Sequence, residues 1–262
     1  MPDITFLGTS AALPTADRGY TSLIISDEQI SMLVDCGALV YQAILRAAIN
    51  PDSLTDLFIT HAHIDHIGGL PSLLECLRLS GRRAPLRLWA LPEAMEVVEG
   101  LLKVFAFEIP LPLPYPLEMH RLEGDGTCPP LGNVAFSFTL VHHSIPTAGL
   151  RLSFPGSNGR NWTVVYSSDT RPTKGLETFA RHCDLLILEC TYLNSKSAMA
   201  DHVGHMTAGQ AGKLAQQAQA GSLALVHLGL YDGWNLDQAR EEAAEHFSNP
   251  IIIPGDGEHL HF

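Results

Sequence analysis

The strand-like run Leu57-Phe58-Ile59-Thr60 leads directly into His61-Ala62-His63-Ile64-Asp65-His66, and Ile67-Gly68-Gly69 then opens a helix-forming segment. Four ligand-type side chains are thus gathered at the C-terminal end of a strand. Alternate residues of an extended loop face the same way, so His61 and His63 can reach one metal ion. Asp65 and His66, at the turn into the helix, can reach a second. Three imidazoles and a carboxylate within six residues are costly to place at a buried strand end unless something binds them. The other reading, exposed histidines in a chain that holds 13, leaves their spacing unexplained.

The rest of the chain predicts a layered α/β framework. Short apolar, β-branched segments fit strands at 4–7, 22–25, 30–35, 54–60, 86–89, 134–142, 150–154, 163–167, 184–188, 223–227 and 251–253. Helical periodicity is clearest over 39–48, 70–79, 93–105, 207–219 and 236–247. This order implies sheets covered by helices, in one domain over residues 1–262. Val134 to Leu140 alternates less cleanly than a half-exposed strand would, which places it between layers. Ile109 to Pro116 alternates proline with other residues and predicts an extended loop or lid edge. Gly156 to Arg160 predicts a hairpin turn.

With 262 residues, 46% of them hydrophobic, the chain can bury a substantial core. Cys36, Cys76, Cys128, Cys183 and Cys190 are odd in number and lack a CxxC pair, which fits reduced thiols. The first residues carry no basic region and no apolar run approaches the ~18 residues of a membrane span, so a cytoplasmic protein without membrane contact is expected. A net charge of −12 argues against broad electrostatic affinity for nucleic acid.

The HAHIDH spacing resembles the HxHxDH motif of the metallo-β-lactamase superfamily, which implies a four-layer αββα sandwich with the site at one edge of both sheets. The resemblance also implies a further His, an Asp bridging both metals and a last His. His143, Asp169 and His227 stand in that order. It then assigns His61, His63 and His143 to one metal, Asp65, His66 and His227 to the other, and Asp169 to both. His142, next to His143, would face the opposite side of a strand, and the following Ser-Ile-Pro favours His143. Five imidazoles and two carboxylates suit two Zn²⁺ ions, with Mn²⁺ or Fe²⁺ admitted by ligand type.

More of the chain is similar to the ribonuclease Z branch. Phe6 to Ser10, Leu33 to Gly37, Gly68 to Pro71, Arg83 to Leu86, His143 to Pro146, Leu188 to Tyr192 and Gly204 to Ala208 carry the likeness. It implies that Glu189 and His205 form an acid pair that protonates the leaving oxygen, while Asp65 orients a metal-bridging hydroxide. The plainer alternatives are a turn-capping Glu189 and a solvent-facing His205. Two departures weigh against transfer RNA as substrate. Only 25 residues separate His143 from Asp169, leaving no room for the long tRNA-gripping arm of that branch, and Leu228 to Asp232 offers no basic group. Leu188 also replaces the first histidine of the branch's His-Glu-Ala-Thr motif, and Ile64 stands where glycine is usual. The expected function is therefore a two-metal phosphodiesterase for a small or nucleotide substrate, with relatives that are often homodimers. The alternatives are tRNA 3′ processing, a thioester, lactone or sulfate-ester hydrolase, and a metal-holding sensor.

Overall fold

The protein is described here by a computed structural model, which covers residues 2–107, 112–124, 126–156, 159–230 and 233–261. The strands are β1 (Asp3–Gly8), β2 (Ser22–Ser26), β3 (Ser31–Val34), β4 (Asp56–Ile59), β5 (Leu86–Ala90), β6 (Leu117–Arg121), β7 (Ala135–Val141), β8 (Thr147–Phe154), β9 (Trp162–Tyr166), β10 (Leu185–Glu189), β11 (Ser222–Val226), β12 (Ile251–Ile252) and β13 (His259–His261). The helices are α1 (Val40–Arg46), α2 (Ile64–Ile67), α3 (Leu70–Leu79), α4 (Pro92–Val104), α5 (Lys174–Phe179), α6 (Ser197–Val203), α7 (Ala208–Ala218) and α8 (Leu236–Ala244).

Two sheets form, in the orders β13-β1-β2-β3-β4-β5-β6 and β12-β11-β10-β9-β8-β7. Each combines antiparallel strands with a parallel run, β3 to β6 in the first and β9 to β12 in the second. Side-chain alternation along the strands divides the apolar residues among three cores. On β2, Leu23 and Ile25 face the other sheet while Ile24 faces the helices. The inner core joins the sheets, with Phe58 of β4 edge-on to Phe136 of β7 at 6.0 Å. One outer core packs α1, α3 and α4 on the first sheet, and the other packs α5, α7 and α8 on the second. The layers are therefore αββα.

Parallel strands point their C-terminal ends the same way, so both sheets deliver loops to a common edge. Two backbone contacts bind that edge together. Ala148 N–H of β8 donates to Thr60 O at 3.0 Å, and Leu228 N–H donates to Thr9 O at 3.0 Å.

Several sequence expectations need correction. Strand β7 lies at the edge of its sheet, with Phe136 and Phe138 buried but Ala135 and Leu140 exposed, so the 134–140 segment is half-exposed rather than enclosed between layers. Of the proline-rich segment, 109–111 lie outside the described residues. The remainder is irregular, as expected, but Tyr115 is buried and its hydroxyl donates to Leu74 O at 3.1 Å, which ties it to the core rather than to a lid. Strands β6 and β13 and helices α5 and α6 were not foreseen. The β8–β9 hairpin was, although 157 and 158 of its turn lie outside the described residues. Helix α3 packs Leu70, Leu73, Leu74 and Leu77 into the core. Arg82 is buried and donates to the carbonyls of Asp52, Leu54, Ala84 and Pro85.

Candidate metal centre

Most of the candidate side chains sit at or just beyond a strand end. Asp35 follows β3, His61 and His63 follow β4, His143 lies between β7 and β8, Asp169 follows β9, Glu189 ends β10 and His227 follows β11. Helix α2 carries Asp65 and His66, and His205 lies between α6 and α7. Asp35, Ser168 and His227 adopt φ values of 61°, 57° and 53°. Left-handed backbone at a non-glycine residue costs about 1–3 kcal/mol, and such strain concentrates where geometry serves function. The three positions lie where the chain leaves β3, β9 and β11.

The side chains converge as two sets. In the first, His63 Nδ1 stands 3.1 Å from both His61 Nε2 and His143 Nε2, and Asp169 Oδ2 lies 3.8 Å and 3.9 Å from those two nitrogens. In the second, Asp65 Oδ2 is 3.5 Å from His66 Nε2 and 3.6 Å from His227 Nε2, while Asp169 Oδ2 is 3.4 Å and 3.2 Å from them. Ligands at 2.0–2.1 Å around a tetrahedral zinc are about 3.3 Å apart, so both sets have ligand-shell spacing. Asp169 Oδ2 belongs to both. His142 is exposed, and His143 is the histidine that turns inward.

The donors also fit metals by what they lack. His66 Nε2, His227 Nε2 and Asp169 Oδ1 are buried without a hydrogen-bond partner. Each such orphan costs about 1–3 kcal/mol unless a ligand satisfies it. The opposite ring nitrogens are engaged. His66 Nδ1 donates to Asp35 Oδ2 at 2.7 Å, and His143 Nδ1 donates to Gly204 O at 3.0 Å, both to atoms that can only accept. Gly204 has φ 79°, and a Cβ there would meet His143 Cα at 3.1 Å, so this approach needs glycine.

Charge follows the same division. Burial, with help from neighbouring imidazoles, holds His61 well below the usual histidine range and lowers His63 and His143, leaving their lone pairs free. At His66 burial again opposes the proton, but the Asp169 and Asp35 carboxylates outweigh it and push the group well above that range. Burial disfavours ionised Asp169, yet His227 and His66 hold it well below the usual carboxylate range. Beside the centre, His205 Nδ1 donates to Glu189 Oε1 at 2.8 Å. Burial disfavours a charged His205, but Glu189 raises it to about 9. A ring nitrogen of His205 lies within 4.8 Å of the ligand atoms of Asp169 and His227.

All nine sequence candidates therefore meet at one edge. Asp35, Thr60 and Thr191, which hydrogen-bond to the candidate histidines, are not among the residues the sequence reading selects. Asp35 had a signal, a lone carboxylate ending the apolar run Met32-Leu33-Val34, whereas the threonines had none.

A covered pair of sheets with a histidine and carboxylate cluster at their common edge defines the αββα class of metal-binding sandwiches. The chain belongs to the β-lactamase superfamily, whose Beta-lactamase superfamily domain model matches residues 31–228. Among curated relatives, the ribonuclease Z of Methanothermobacter thermautotrophicus is 29% identical over 87% of each chain. Among solved structures, the metallo-β-lactamase fold protein YhfI from Bacillus subtilis superposes with a TM-score of 0.83 at 23% identity, covering 100% of both chains. The short form of human tRNase Z gives a TM-score of 0.79 at 23% identity, covering 99% of this chain and 98% of its own. Among the described residues no helix is long and apolar enough to cross a membrane.

Proposed function

We propose that the chain is a dinuclear metal-dependent phosphodiester hydrolase acting on a small or nucleotide substrate in the cytoplasm. His61, His63 and His143 would hold one Zn²⁺ and Asp65, His66 and His227 the other, with Asp169 available to both sets. The observation that carries this reading is Asp169 Oδ2, one oxygen within 3.2–3.9 Å of four imidazole nitrogens from both ligand sets. When bound, the metal pair supplies Lewis acidity toward phosphoryl oxygens and a nucleophile from water near neutral pH.

The remaining steps belong to side chains. Asp65 accepts a hydrogen bond from the attacking water and orients it. Glu189 binds His205 Nδ1, which leaves Nε2 as the atom that delivers a proton to the departing oxygen. Because Glu189 outweighs the opposing effect of burial and raises His205 to about 9, the ring is protonated near neutral pH, as a general acid must be.

Substrate size is argued from the 25 residues between His143 and Asp169, most of which β8, β9 and their turn take up. That leaves no room for a long RNA-gripping arm in this segment. The likeness to a ribonuclease Z supports a second reading, hydrolysis of RNA. Turnover by Zn²⁺-loaded protein should be measured on bis(p-nitrophenyl) phosphate, cyclic nucleotides, dinucleotides, a tRNA precursor, a thioester and a lactone. The proposal expects a small phosphodiester to give the highest kcat/KM. Preference for the tRNA precursor would select the second reading, and turnover of the thioester or lactone alone would contradict both.

A further inference from the structure

We infer that Thr60 and Thr191 are positioning residues, each passing the orientation imposed by one buried carboxylate to a second imidazole. At the first site, Asp35 receives His66 Nδ1–H directly at 2.7 Å, and the Thr60 hydroxyl bridges Asp35 Oδ2 at 2.9 Å to His61 Nδ1 at 2.9 Å. At the second, Glu189 receives His205 Nδ1–H directly at 2.8 Å, and the Thr191 hydroxyl bridges Glu189 Oε2 at 2.8 Å to His227 Nδ1 at 2.9 Å. Both carboxylates are fully buried, and both hydroxyls are enclosed with them.

Proton counting fixes the direction of each relay. A hydroxyl has one proton, and a carboxylate oxygen within 2.9 Å can only accept it. The threonine oxygen must then accept from the imidazole. His61 and His227 are therefore Nδ1–H tautomers, with their Nε2 lone pairs turned toward Asp169. In each half of the molecule one carboxylate thus orients two rings, one directly and one through a threonine. At Glu189 this ties the proton donor to the ligand set. The His205 and His227 rings, stacked 5.4 Å apart at 20°, are held by the same carboxylate.

The inference rests on the proposed function only in treating His61 and His227 as metal ligands. Its test is ¹⁵N NMR of the histidine rings in metal-free protein near pH 8, for wild type, Thr191→Val and Thr191→Ser, together with Zn²⁺ affinity by chelator competition. His227 should be the Nδ1–H tautomer in wild type and Thr191→Ser, and a mixture in Thr191→Val. Zn²⁺ affinity should fall about 10–100-fold in Thr191→Val, the usual scale for losing an orienting partner, and return in Thr191→Ser. Thr60→Val should do the same to His61, so the inference stays testable if Thr191→Val does not fold. An Nε2–H tautomer at His227 in wild type, or valine variants with wild-type tautomers and affinity, would overturn it. Absence of turnover on every phosphodiester would refute the proposed function and leave these readouts intact.

Discussion

His205 shows how much one neighbour can change a side chain. An imidazole this buried resists charge, yet the Glu189 carboxylate at 2.8 Å lifts it from 6.5 to about 9. A base whose folded value is raised contributes stability that is complete below its unfolded value and disappears as pH climbs through the folded one. In metal-free protein, the stability gap between wild type and His205→Asn should therefore be largest near pH 6 and close as pH passes about 9. Urea unfolding across that window measures it, and a gap that widens with pH would contradict the pairing. Residues were unevenly legible. His61, His63, Asp65 and His66 fall within six positions, a density that ordinary surface composition does not produce. His143, Asp169 and His227 are isolated in sequence, and only the ordered resemblance selected them. Thr60 and Thr191 resembled any polar residue at a strand end, because their roles depend on partners that lie on other strands or across the turn.

At the scale of elements, the metal loop keeps its shape because β3 and the start of α3 touch backbone to backbone. Cys36 N–H donates to His66 O at 2.6 Å, and Gly69 N–H donates to Cys36 O at 2.8 Å. A Cβ on Gly69 would lie 2.0 Å from Gly37 O, an overlap that no rotamer change relieves. Gly69→Ala should cost about 3 kcal/mol, the upper end of ordinary overpacking, and should lower metal content with it. Thermal unfolding and metal analysis check this, and a variant with wild-type stability would refute the close contact. The long, strongly apolar elements were readable from periodicity, α3 at both ends. The elements missed are short or polar. β6 reads Leu-Glu-Met-His-Arg, β13 has three residues, and α5 and α6 have six and seven. For β7 the pattern misled because small and polar residues, Ala135 and Ser137, alternate with Phe136 and Phe138, a contrast too weak to show one face exposed.

The whole molecule explains why the site needs both sheets. The first supplies Asp35, His61, His63, Asp65 and His66 from the ends of β3 and β4, and the second supplies His143, Asp169, Glu189, His205 and His227. Neither half completes a ligand set alone. The layered fold was legible because strand-like segments and helical periodicities alternate along the chain, whereas the pairing of β1 with β13 was not, since it joins residues more than 250 positions apart. Asp169 is where the halves meet, and its Oδ2 is shared by both sets. The most direct measurement is therefore metal stoichiometry, by elemental analysis of Zn²⁺-loaded wild type and Asp169→Ala after desalting. Two ions per chain in wild type, and no more than one in the variant together with loss of turnover, is the predicted result. A single ion in wild type, or two ions and full activity in Asp169→Ala, would contradict the shared-carboxylate centre.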